Sequence, residues 1–191
     1  MLDFGTTPDY NETAKRKREK ESAMELWDAY NKNEEKSGVD LIRGEEIPKG
    51  LYHLVVSTVV RHKDGTYLLL RRSENKTIAP GFEEIGAGGA VLKGETPLQG
   101  AIRELREETG IRAVRMEPLF HLESEAAQCI DYGYLCVTDV PKDSVVLQEG
   151  ETTGYRWITQ EELLAFCDSD ACIPLQRVCL EDFRNELRET I

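Results

Sequence analysis

Apolar side chains recur along this chain with two different periods, and the changes of period mark out its elements. Residues 51 to 60, LYHLVVSTVV, and residues 67 to 72, YLLLRR, are dense in aliphatic and β-branched side chains. They predict two heavily buried strands joined by an Asp64-Gly65 hairpin turn. Residues 114 to 122 and 130 to 140 predict further strands, and residues 155 to 158 a short one. Between them Leu98, Ala101, Ile102 and Leu105 fall on one arc of a helix. Thr159 and Glu162 form a capping box ahead of Leu163, Leu164 and Phe166, and Leu175, Val178, Cys179, Phe183 and Leu187 continue at helical spacing. Ala23, Trp27 and Tyr30 share that spacing, which predicts a charged amino-terminal helix leading into an aromatic docking side. The fold class is α/β (α+β), with helices flanking a mixed sheet.

The helix after Thr96 carries the chemistry. Thr96 is its N-cap, Pro97 its first residue and Gln99 the return partner of a capping box, while Gly110 supplies a left-handed stop. On the arc away from the apolar stripe stand Arg103, Glu104, Glu107 and Glu108. Two of these acids occupy the last turn, at the negative end of the helix dipole. Like charges three and four residues apart repel by roughly 0.2–0.5 kcal/mol each, and Arg103 is expected to neutralise one of the three glutamates. A carboxylate cluster without His or Cys suits a hard cation such as Mg²⁺ or Mn²⁺.

Gly89, Glu95 and the run Arg103-Glu104-Leu105-Arg106-Glu107-Glu108-Thr109-Gly110-Ile111 are spaced as Gly-x5-Glu-x7-Arg-Glu-U-x-Glu-Glu-x-Gly-U, where U is apolar. This resembles the Nudix box with every fixed position filled. The resemblance implies a Nudix fold, a mixed sheet sandwiched between helices, and a hydrolase that cleaves the diphosphate linkage of a nucleoside diphosphate derivative or related organic diphosphate. It implies Glu104, Glu107 and Glu108 as metal ligands with the Gly88 carbonyl, Arg103 orienting the glutamates, and Glu95 supporting the loop or holding an additional metal. A glutamate must accept a proton from the attacking water, either Glu108 or a loop acid such as Glu149 or Glu151. Arg72, with Arg71 beside it, is the candidate for a substrate phosphate because it resembles a basic position common in the family; a pairing of Arg72 with Glu74 or Glu84 is the alternative.

The run from Met24, MELWDAYNKNEEKSGVDLIRGEEIPKGLYHLVV, resembles the entry to the branch that includes type 1 isopentenyl-diphosphate isomerases. Those enzymes use a cysteine just before the box, where this chain reads Glu83-Glu84-Ile85-Gly86-Ala87-Gly88-Gly89. The cysteines at 129, 136, 167, 172 and 179 all lie downstream, so the likeness implies shared architecture without isomerase activity. A non-catalytic domain that binds a nucleotide or partner is the other alternative. Trp157, Phe82, Tyr132 and Tyr134 are candidates for stacking on a base, and Trp157 also reads as core; His53 and His62 read as structural.

Composition narrows the setting. With 24 basic and 36 acidic residues the net charge is −12, which disfavours nucleic acid as a partner; the small-molecule diphosphate partner is what the resemblance implies, and negative charge around it makes the metals more necessary. Five cysteines without a CxxC pair, no apolar run of membrane-spanning length and no leader pattern predict a cytoplasmic protein with reduced thiols and no membrane contact. Residues 1–23 read as a charged, partly helical extension and residues 24–191 as the hydrolase domain, with a homodimer as a possible assembly.

Overall fold

A computed structural model of the chain describes residues 25–189. Strands β1 (Leu26–Tyr30) and β2 (Lys36–Ile42) form an antiparallel hairpin. The main sheet contains β3 (His53–His62), β4 (Tyr67–Arg72), β5 (Glu83–Ile85), β6 (Ala87–Ala90), β7 (Met116–Ser124), β8 (Cys129–Thr138) and β9 (Thr152–Ile158). Helix α1 (Pro97–Thr109) follows β6, while α2 (Gln160–Asp168), α3 (Pro174–Cys179) and α4 (Glu181–Arg188) close the described chain. The sheet is mixed: β3 runs parallel to β8 from His53↔Cys129 to His62↔Thr138, and every other pairing between its named strands is antiparallel.

Alternation along β4 explains why it reads as an unbroken apolar run. Leu68 and Leu70 face a cluster with Leu105 and Ile111 at helix α1, whereas Tyr67 and Leu69 face one built by Leu163, Leu164 and Phe166 of α2 with Leu180 and Leu187. A strand covered on both faces has no polar side to show. The two halves of the sheet, β5-β4-β9 and β6-β3-β8, are joined where β3 and β4 meet and at Gly86, where the chain leaves β4 as its partner and takes up β3. Gly86 has φ 70°, and a Cβ there would stand 1.7 Å from the Thr58 carbonyl oxygen. No other residue type fits that crossing without moving a strand.

Three expectations need correction. Trp27 and Tyr30 lie on a strand, because burial alternates at Trp27 and Ala29 before a bulge at Asp28/Tyr30 turns Tyr30 inward as well. Leu98 and Ile102 are exposed, and the buried face of α1 is Gly100, Ala101, Leu105, Glu108 and Thr109. The helix is thus rotated so that part of its acidic arc, rather than the whole apolar arc, packs on the sheet. Finally, the carboxy-terminal segment breaks at Leu180 (φ −99°, ψ 13°), leaving Leu175 and Val178 exposed while Cys179, Leu180 and Leu187 pack. The expectations for residues 1–23 lie outside the described residues.

Candidate active site and metal centre

Helix α1 begins as its sequence predicts, with both hydrogen bonds of the Thr96–Gln99 capping box formed, and ends at Gly110 with φ 71°. Its acidic arc meets β6, where side chains are absent because there is no room for them. A Cβ on Gly88 would stand 2.5 Å from the Val56 carbonyl oxygen, and one on Gly89 2.4 Å from the Glu104 carboxylate. Gly89 therefore lets the Glu104 carboxylate come directly against the strand backbone, while Gly88 lets β6 close on β3.

Arg103 organises this contact. Its Nε donates to Glu95 Oε1 at 2.9 Å, Nη2 to the Ala90 carbonyl at 2.9 Å, and Nη1 to Glu104 Oε1 at 2.7 Å and Glu107 Oε2 at 3.1 Å. The planar fork thus reaches two of the three helix glutamates instead of the one expected. Glu95 also accepts the Leu92 amide at 3.0 Å, which places it as the clasp between loop and helix.

Glu108 receives nothing from Arg103. It is buried, and the Gly88 amide donates to its Oε2 at 3.1 Å. Burial, reinforced by the charges of Glu84 and Glu104, pushes its carboxyl up to about 8. Burial likewise raises Glu104, against the pull of Arg103, and raises Glu84, against the pull of Arg72. Such carboxyls are strained as anions until a cation shares the site. Among the described residues no three His, Cys, Asp or Glu side chains stand as a closed cage for a metal ion. Glu104 is turned to Arg103, and Glu107 lies on the exposed rim. The donor set nevertheless fits a hard divalent cation: oxygen ligands only, a surplus of buried negative charge, and one buried Glu84 oxygen, Oε1, without a hydrogen-bond partner.

These glutamates form one wall of a cleft of about 550 Å³. Facing them are Trp27 and Arg43 of the hairpin region, His53 of β3, and Lys76, Gln148 and Glu151 from two loops. Lys76 pairs with Glu151 inside the cleft, and the Ser73 amide donates to the Glu151 carbonyl at 2.8 Å, tying the loops together. Trp27 stacks on His53 with ring centroids 4.2 Å apart, and its indole N–H donates to Glu25, which also holds Arg43 at 2.6 Å. Burial depresses His53 to about 4, so this ring is neutral at physiological pH.

Several sequence candidates are not brought here. Arg72 is committed to Glu84 at 2.6 Å and to the Ile78 carbonyl at 3.1 Å, and Arg71 is exposed beside Glu74; neither lines the cleft. Glu149 does not line it either, whereas Glu151 does. Trp157 donates to the Lys142 carbonyl at 3.1 Å and meets His62 edge-on, Tyr134 packs in the core, and Tyr132 binds Glu34, so these aromatics and Phe82 stand apart from the cleft. His53, read as structural, stacks on Trp27 and also lines the cleft. Lys76 was visible as a basic residue in the loop before the box. Trp27 and Arg43 gave no signal, because only folding brings the hairpin to the helix.

Glycine-backed carboxylates and cleft lysine and arginine side chains, on a mixed sheet between helices, define a hydrolase of phosphoanhydride bonds. The NUDIX domain family model matches residues 51–173. An uncharacterized Nudix hydrolase of Listeria monocytogenes is 35% identical over 155 residues, covering 79% of this chain and 89% of that protein. The uncharacterized Nudix hydrolase YfcD of Escherichia coli K12 is 34% identical over 143 residues, covering 74% and 78%. Among solved structures, DR0079 from Deinococcus radiodurans aligns with TM-score 0.66 and 24% identity over 86% of this chain and 98% of its own. A MutT protein from Methanosarcina mazei Go1 aligns with TM-score 0.60 and 28% identity over 74% and 98%. The chain belongs to the Nudix family and is a Nudix hydrolase, a family that generally uses divalent metal cations and small-molecule substrates. No helix among the described residues is long and apolar enough to cross a membrane.

Proposed function

We infer that this enzyme is a Mg²⁺- or Mn²⁺-dependent diphosphohydrolase that cleaves the diphosphate linkage of a nucleoside diphosphate derivative, or a related organic diphosphate, by attack of water. The observation that carries this reading is the meeting of Glu104, Glu107 and Glu108 with Lys76 and Arg43 in one cleft. Glu104, Glu107 and Glu108, with the Gly88 carbonyl, would hold the cation, which when bound offsets phosphate charge and lowers the proton affinity of water. Arg103 is saturated by protein acceptors, so its part is to hold Glu104 and Glu107 in place. Lys76, paired with Glu151, and Arg43, paired with Glu25, are the cleft cations that would turn to substrate oxygens, in place of Arg71 and Arg72. Phosphoanhydride cleavage depends chiefly on such positioning and charge compensation.

The water's proton passes in this reading to Glu108, which the Gly88 amide holds in place at the cleft. Glu151, held by Lys76, is the competing base. Hydrolysis is favoured over isomerisation because all five cysteines are buried and none lines the cleft.

Glu107→Gln tests the assignment on its exposed rim, where the substitution leaves packing intact. Products are followed across a panel of nucleoside diphosphate derivatives with Mg²⁺ or Mn²⁺. Turnover of the best substrate should fall at least about a hundredfold, the size of effect typical for a missing charge-stabilising group; unchanged turnover rejects the reading.

A further inference from the structure

Glu84 lies outside the box and is read from the sequence only as an alternative partner for Arg72, yet it is buried and only half satisfied. Its Oε2 is fixed by Arg72 at 2.6 Å, and Arg72 is itself held by the Ile78 carbonyl. Its Oε1 is buried with no hydrogen-bond partner. An ionised oxygen left so in a protein interior is expensive unless something positive meets it.

The register of the sheet shows where this oxygen stands. On β5, Ile85 pairs with Leu69 and faces the α2 side, while Glu84 pairs with Leu70, which packs with Leu105 of α1. Alternation therefore puts Glu84 on the α1 face, the face that carries Glu108. Strand β5 is a firm platform for Glu84: the Gln176 side chain accepts from the Ile85 amide at 3.0 Å, and Arg156 grips Glu83 through two hydrogen bonds of 2.8 Å.

We propose that Glu84 is a further carboxylate of the cation centre, its free Oε1 sharing a divalent cation with Glu108. The inference rests on the reading of the cleft given above. Arg72 then acts as the fixed strut that aims Glu84, which accounts for a half-buried arginine that does not line the cleft.

Manganese binding to the full chain, without substrate, tests this by calorimetry and by electron paramagnetic resonance of free Mn²⁺. Glu84→Gln keeps an acceptor for Arg72 but removes the charge. It should lose one bound Mn²⁺ per chain or weaken its binding at least tenfold, while Glu83→Gln on the same strand binds as the parent does. Equal stoichiometry and affinity in Glu84→Gln overturns the proposal, whatever happens to its melting temperature, since a purely structural partner of Arg72 would alter only the latter. If Glu84→Gln does not fold, the pair Arg72→Met with Glu84→Gln, which leaves no lone buried charge, is measured in the same way with the same two outcomes. A parent protein that takes up no Mn²⁺ defeats the hydrolase reading itself, and is thereby told apart from failure of Glu84 alone.

Discussion

Removing the charge of Glu108 should stabilise the cation-free protein while destroying its activity. Burial and the neighbouring glutamates move this carboxyl from 4.5 to about 8. At about 1.4 kcal/mol per unit, holding it ionised in the fold costs about 3–5 kcal/mol. The sign follows from proton counting: between those two values the folded protein keeps a proton that the unfolded chain has released, so stability falls as pH rises through the window. Glu108→Gln has no such proton to lose. Urea unfolding in the presence of a chelator, at pH 5 and pH 9, should therefore show the stability difference between variant and parent swinging towards the variant by about 3–4 kcal/mol. Glu84 and Glu104 titrate in both proteins and largely cancel. Saturating divalent cation at pH 9, near a hundred times its dissociation constant, should return about 2.7 kcal/mol to the parent and much less to the variant. A difference that stays constant from pH 5 to pH 9 refutes the argument, because it would mean that Glu108 carries no unfavourable charge in the fold.

Two further outcomes are expected. Gly86→Ala combines a left-handed backbone, φ 70°, with a Cβ 1.7 Å from the Thr58 carbonyl oxygen, and should lower stability by more than about 3 kcal/mol in urea unfolding; a loss below about 1 kcal/mol would contradict the described crossing. Lys76→Ala should raise KM at least tenfold, corresponding to loss of a charge-assisted hydrogen bond of about 1.5–3 kcal/mol, while Arg71→Ala stays within about twofold. The opposite ranking would restore the arginine as the phosphate contact.

Local patterns carried much of this molecule. The β3 and β4 strands, the Thr96 and Thr159 capping boxes, the Gly110 stop and the box itself depend on interactions within a few residues, so composition and spacing reveal them directly. Strand β2 escaped notice because Leu41 is its single buried residue, leaving no alternation to read. Trp27 and Tyr30 misled because three aromatic or small residues at helical spacing also suit a strand once a bulge shifts the register.

By itself, the chain of side chains determined that three glutamates and an arginine would share one helix end, and hence the class of chemistry. Which of those glutamates would be buried was decided by packing: α1 settles with Ala101 and Leu105 against the sheet, and Glu108 goes in with them. Tertiary structure likewise placed Lys76 and Arg43, rather than Arg71 and Arg72, along the cleft, and set Glu84 on the face of Glu108. A charge's partners depend on distances between elements far apart in sequence, and those distances exist only after the sheet has closed.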